Sequence, residues 1–344
     1  MFSVAILKQS KPVIGVGMTA LILGSAFWGS TQAGRAQENA RDELEAIKIR
    51  PNFYMIAGAG GNIALQTGKD GTVLINAGSA SEADRVVAAI KKITDQPVRY
   101  IINTSADSDL VGGNARVAHA GRNVLATGPE PLGGEFERNM SFNYAATIFA
   151  AEQVLFRMSA PTGQTAPFPE DAWPVEIFSE RRRDLYFNGE GFQIYHEPKA
   201  HSDGDSVVLF RASDVVAAGD IIDATRFPVI DLARGGSIQG EIDALNHIIE
   251  LSVRPLPFVF EAGGTNIVPG HGRVYNRRDV VEYRDMVVTI RDIVQDMIQR
   301  GMTLAQIEEA SPAEAYEREY GAKSGPWTTS ECIEAVYQGL TEKK

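Results

Sequence analysis

A single cysteine, Cys332, stands among the 344 residues, so neither an intramolecular disulfide nor a zinc cage of thiolates can form. Any metal bound by this chain is held by imidazole and carboxylate groups. Blocks of lysine and arginine are also missing. With a formal net charge of -11 and Arg181, Arg182 and Arg183 as the only tight basic cluster, an electrostatic partnership with DNA or RNA is excluded. That arginine trio reads as part of a solvated face. No internal repeat of solenoid length appears. The one sustained apolar run, from Val13 to Trp28, falls short of the ~20 residues that a membrane-spanning helix needs.

What surrounds that run gives it a meaning. Lys8 and Lys11 precede it, and Gly29-Ser30-Thr31-Gln32-Ala33 follow, which is the order of a secretory signal peptide cut after Ala33. Residues 1–33 are therefore expected to direct export, to the periplasm or the medium, with no stable membrane attachment after cleavage. Retention as an uncleaved anchor is the alternative. Residues 34–48 are polar and charged and read as a tether or leading helix, with one domain over 49–344.

Within that domain short β-type runs come first: Phe53 to Ala57, Asn62 to Leu65 and Thr72 to Ile75, with Lys69-Asp70-Gly71 as a hairpin signal. Gly58-Ala59-Gly60-Gly61 lies between two strands, not before a helix, so it reads as a turn and not as a dinucleotide loop. A helix is expected over Ser81 to Ile93, a strand at Arg99 to Asn103 and a short helix at Asn114 to Ala120. Residues 128–190, rich in Pro, Gly and aromatics, read as a long insertion; Trp173 and Phe178 in it are candidates for a pocket lining or for core. Strands return at Phe192 to His196, Ser206 to Arg211 and Val215 to Ala218. A helix over Asp243 to Val253, a strand at Asn266 to Val268, a long helix over Asp279 to Gln299 and two C-terminal helices complete the chain. Strands, a helix, strands and more helices predict sheets covered by helices in one α/β domain.

Four polar clusters each follow or adjoin an apolar strand, where loops at a sheet edge converge. They are Asn103-Thr104-Ser105-Ala106-Asp107-Ser108-Asp109 with Gly112-Gly113-Asn114; His201-Ser202-Asp203-Gly204-Asp205; Gly219-Asp220; and Pro269-Gly270-His271-Gly272. Imidazole and carboxylate are ligand types suited to zinc, manganese or iron. His119 and His247 fall on predicted helices and His196 at a strand end, and all three read as structural. Asp203 and Asp205 read as caps of their own loop.

In order and spacing these clusters resemble the metallo-β-lactamase superfamily, over about Tyr54 to Tyr283. The resemblance implies a four-layer αβ/βα sandwich and a metal-dependent hydrolase. The departures lie in the first motif, where the family has His-x-His-x-Asp-His and this chain has Ser105, Asp107, Asp109 and Leu110. The family's preceding Asp is Asn76 here, whereas His201, Asp220 and His271 match. Carried over, one site would hold Ser105, Asp107 and His201, and the other Asp109, Leu110, Asp220 and His271. Three protein ligands and a water make an open catalytic zinc site. The resemblance thus implies one divalent ion, zinc first with manganese or iron as options, on Asp109, Asp220 and His271, with His201 and Asp107 as further ligands. Asp109 would also orient the attacking water. The implied reaction is hydrolysis of an ester, thioester, lactone or lactam in a small-molecule substrate through a metal-bound water. Against it stands a second reading, a non-catalytic binding protein that has lost the dinuclear site. A third is an oxygen-rich site shifted toward manganese or iron by Asp107.

Overall fold

A computed structural model describes residues 44–124, 144–161, 163–255 and 263–341. The expected signal peptide, residues 34–43 of the expected tether, and residues 128–143 of the expected insertion lie outside these described residues. Among the described residues thirteen strands form two sheets. The first runs β1 (Glu45–Arg50), β2 (Phe53–Ala59), β3 (Gly61–Gly68), β4 (Gly71–Ile75), β5 (Val98–Ile102), β6 (Thr147–Ala151) and β7 (Glu176–Phe178), in that order. The second is ordered β13-β12-β11-β10-β9-β8. Its strands are β8 (Arg182–Phe187), β9 (Glu190–Glu197), β10 (Asp205–Phe210), β11 (Val215–Asp223), β12 (Asn266–His271) and β13 (Tyr275–Asn276). In both sheets antiparallel hairpins give way to parallel pairs, β4 with β5 in the first and β11 with β12 in the second.

The strand period of two sorts the side chains into layers. Val73 and Ile75 of β4, with Val208 and Phe210 of β10, fill the space between the sheets, where Phe192 stacks on Phe210 at 5.1 Å. Leu74 and Ile101 turn to the other face of the first sheet. There they meet Val86 and Ile90 of α1 (Ala83–Ile93). Two short helices, α2 (Ser108–Val111) and α3 (Asn114–Ala120), follow β5, and α4 (Glu152–Met158) follows β6. On the outer face of the second sheet, Val207 and Val216 pack against α5 (Ile238–Leu251) and α6 (Arg277–Gln299), which contribute Leu245, Ile248, Tyr283 and Met286. The last helices are α7 (Leu304–Glu309), α8 (Glu317–Tyr320) and α9 (Thr329–Thr341). Helix, sheet, sheet and helix give the expected four-layer αβ/βα sandwich.

Two boundaries differ from the sequence reading. Residues 45–48, assigned to the tether, are the first four residues of β1, paired with β2 through Ile47 and Met55. An edge strand needs apolar residues on one face only, and Ile47 and Ile49 supply them between charged neighbours. The region read as an insertion contains β6 and β7, integral parallel strands of the first sheet. Every residue from Thr147 to Ala151 is buried, so the strand shows no alternation to recognise. Phe178 belongs to the core between the sheets. Trp173 packs against that core, and its indole donates to the Phe168 carbonyl at 3.0 Å.

Candidate metal centre

The cluster after β5 is positioned from below. Asn76 follows β4 in the left-handed region, with φ 68°. Its carboxamide accepts from the Thr104 main-chain N–H at 3.0 Å and donates to Thr104 Oγ1 at 3.0 Å. Thr104 in turn lies against Gly219, where a Cβ would stand 2.3 Å from Thr104 Oγ1. Gly270 admits the Asp220 carboxylate in the same way, since a Cβ there would lie 2.6 Å from Asp220 Oδ1. These two glycines let β11 and β12 approach closely enough to bring Asp220 and His271 beside the loop of Ser105, Asp107 and Asp109. Ser105 Oγ donates to Asp220 Oδ2 at 2.8 Å.

His201 arrives from the loop between β9 and β10. That loop is fixed by Asp205, which accepts from Ser202 N at 2.5 Å and from Ser202 Oγ at 3.0 Å; burial pushes the Asp205 carboxyl up to about 7. The His201 imidazole spans two partners, with Nδ1 2.8 Å from the Val229 carbonyl oxygen and Nε2 2.8 Å from Asp107 Oδ2. A carbonyl oxygen only accepts, so Nδ1 carries a hydrogen and Nε2 is the atom turned into the site. Burial works against the imidazolium. The hydrogen bond to Asp107 and the charges of Asp205 and Asp220 outweigh it, and His201 is lifted well above its ordinary value. Asp107, although half-buried, is held well below the usual carboxylate range by His201 and Arg234. Arg234 Nη2 donates to Asp107 Oδ1 at 2.6 Å, and Arg234 Nε to Asp231 Oδ2 at 2.6 Å.

A second pair lies beside the first. His271 Nε2 is 3.2 Å from Asp109 Oδ2 and 3.6 Å from Asp220 Oδ1. Burial opposes the His271 charge, yet Asp109 and Asp220 raise it to about 10. The His271 contact holds Asp109 below its ordinary value, whereas burial raises Asp220. Asp220 is thus the shared member of both groups. Among the described residues one set brings three donor atoms within 4.8 Å of one another, and it is Asp107, His201 and Asp220. The sequence reading had centred the ion on Asp109, Asp220 and His271. The structure brings all five named residues to one cleft of about 210 Å3, with Asp107–His201–Asp220 the tighter set.

The donor chemistry of that set fits a divalent ion. Metal-bound histidines donate their second N–H to a carbonyl or carboxylate, and ligating carboxylates are themselves hydrogen-bonded. His201 has its Val229 carbonyl and Asp220 its Ser105. Leu110 offers nothing: it is fully buried in the core between the sheets. The remaining histidines do not line this cleft: His196 lies on the Asp203 carbonyl, His247 on Glu197 and His119 on Asp171. Asp203 pairs with Arg157, and Arg181, Arg182 and Arg183 are exposed. Sequence reasoning missed Arg234, Arg226 and Trp327, which also line the cleft. For Arg234 a signal exists in Asp231-Leu232-Ala233-Arg234-Gly235, a capped turn closed by a left-handed glycine. Nothing local marks Trp327, which is delivered by the fold from far along the chain.

Residues 57–271 match the family model described as the metallo-beta-lactamase superfamily. No curated protein matches the chain by sequence. Among solved structures it is similar to the inverting sec-alkylsulfatase Pisa1 from Pseudomonas sp., at 12% identity and TM-score 0.57, over 86% of this chain and 50% of that one. A double mutant of the same sulfatase gives 12% identity and TM-score 0.59 with the same coverage. The metallo-beta-lactamase from Pontibacter korlensis shares 16% identity at TM-score 0.51, over 71% of this chain and 99% of that one. The chain spans about half the length of the sulfatases, and at these identities the likeness is one of fold.

Proposed function

Since the chain belongs to the metallo-β-lactamase superfamily, we propose that it is a metal-dependent hydrolase of a small-molecule ester, thioester, lactone or lactam. The observation that carries this reading is the convergence of Asp107, His201 and Asp220 donor atoms beside Asp109 and His271 in one open cleft. Asp107, His201 and Asp220 would hold a single ion, zinc or, given two carboxylates, manganese or iron. The ion would supply Lewis acidity, polarising the scissile carbonyl and acidifying water. Asp109, the most exposed acid of the set at 41%, faces the cleft and orients the attacking water as its hydrogen-bond acceptor. His271 fixes the direction of Asp109 and holds a proton at Nε2 that can pass to the leaving atom. Residues 1–33 carry the protein out of the cytoplasm, on the strength of the Lys-flanked apolar run ending at Ala33.

One observation favours a non-catalytic binding role instead: Ser105, Asp107 and Leu110 stand where the family's first motif has its histidines. Elemental analysis of dialysed protein, with turnover of a panel of the four substrate types by wild type and Asp109→Asn, separates the two. One equivalent of metal and activity lost in Asp109→Asn support the hydrolase. No metal and no turnover leave the binding role.

A further inference from the structure

We propose that Arg234 is a built-in counter-cation that competes with the divalent ion for Asp107 and thereby sets how tightly the site holds metal. This rests on the metal-binding reading of Asp107, His201 and Asp220, and it concerns a residue that the family resemblance does not bring in.

The guanidinium is fixed in place. Asp231 caps the turn Leu232–Arg234 by accepting from Arg234 N at 2.9 Å, and accepts from Nε of the same residue at 2.6 Å. The turn is stitched to the histidine loop by Asp231 N donating to His201 O at 2.9 Å and by Asp203 N donating to Arg234 O at 2.8 Å. Gly236 lies so close to the same loop that a Cβ there would stand 2.2 Å from His201 O. What this scaffold delivers is Arg234 Nη2 on Asp107 Oδ1 at 2.6 Å, while Asp107 Oδ2 faces His201.

The two cations around Asp107 differ in what they do when metal arrives. His201 gives up a proton, and its neutral Nε2 becomes a ligand. Arg234 has no such exit, since a guanidinium stays charged at every accessible pH. Its charge remains beside the carboxylate that the ion needs, and Asp107 is shared between the two. Arg234 supplies part of the positive charge that metal would bring.

A fixed unit charge a few ångström from a divalent ion changes its affinity by about tenfold or more. The test is titration calorimetry of metal-stripped wild type, Arg234→Gln and Arg234→Lys with Mn2+ and with Zn2+, paired with melting curves with and without metal. Arg234→Gln is expected to bind at least about tenfold tighter than wild type, with Arg234→Lys close to wild type. The metal-free Gln variant should melt below wild type, and saturation with metal should close that gap. If Arg234→Gln does not fold, Arg234→Met, which keeps the aliphatic stem, replaces it. Equal or weaker binding by the neutral variant overturns the competition while leaving the wild-type metal site standing. Failure of wild type and neutral variant alike to bind either ion removes the metal-site reading and this inference with it.

Discussion

The Asn76 carboxamide clasps Thr104 at two points, accepting from its main-chain N–H and donating to its hydroxyl, both at 3.0 Å. One side chain thereby ties the end of β4 to the loop that presents Ser105, Asp107 and Asp109. It does so from a left-handed backbone, a conformation that asparagine tolerates and β-branched residues do not. Asn76→Ala leaves Thr104 with unpaired buried groups and retains the backbone penalty. A loss of about 2–4 kcal/mol is expected in denaturant unfolding. Asn76→Asp keeps the acceptor toward Thr104 N and should cost less. Equal stability of wild type and Asn76→Ala would mean that the clasp does not hold the loop.

Glu241 makes stability depend on pH. It sits fully buried on α5, with neither carboxyl oxygen hydrogen-bonded among the described residues, near an equally unpartnered Tyr283 hydroxyl. Burial, then the charge of Asp205, raises it well above its ordinary value of 4.5. The folded state therefore keeps the neutral acid while the unfolded chain ionises. The group's penalty is absent below the unfolded value and grows as pH rises past it, by up to about 1.4 kcal/mol per pH unit until the folded group itself ionises. Glu241→Gln removes this slope. Wild type and variant should unfold alike at about pH 4, and the variant should be the more stable at about pH 8. A stability difference that does not change with pH would show that Glu241 ionises as readily folded as unfolded.

Much of the scaffold is legible in the sequence because β2, β3, β10 and β11 carry recognisable apolar patterns and turn signals. The helix at Asn114–Ala120 coincides with its expected limits for the same reason. Strand β6 escapes because it is buried on both faces, and β1 because it is an exposed edge strand in which only Ile47 and Ile49 pack on the core. At the site, Asp107, Asp109, His201, Asp220 and His271 could all be named from motif order. Which three would gather could not, because that depends on Gly219 and Gly270 letting two strands crowd together. The turn that carries Arg234 is marked in the sequence, but its place in the site is not, for a related reason. Its partner Asp107 is 127 residues away, and only the folded loops set them side by side.

The last prediction locates the ion. If it sits on Asp107, His201 and Asp220, His201→Ala leaves two carboxylates and should abolish tight binding. His271→Ala removes a partner of Asp109 and Asp220, and should weaken binding by about 10–100-fold, the usual scale for groups that support ligands. Were the ion held by Asp109, Asp220 and His271 instead, the two variants would exchange roles. Stoichiometry adds an independent check through Leu110. Its side chain is fully buried between the sheets and presses on β3 so closely that a Cβ at Gly61 would lie 2.1 Å from Leu110 Cδ2. An imidazole placed there by Leu110→His enters the core, not the cleft. It should lower stability without adding a second equivalent of metal, because a buried polar ring without a partner costs free energy. Elemental analysis after dialysis reads the metal outcomes, and denaturant unfolding reads the stability of Leu110→His. Two equivalents of zinc in wild type would refute the single-ion site, and full metal content in His201→Ala would refute the set Asp107, His201 and Asp220.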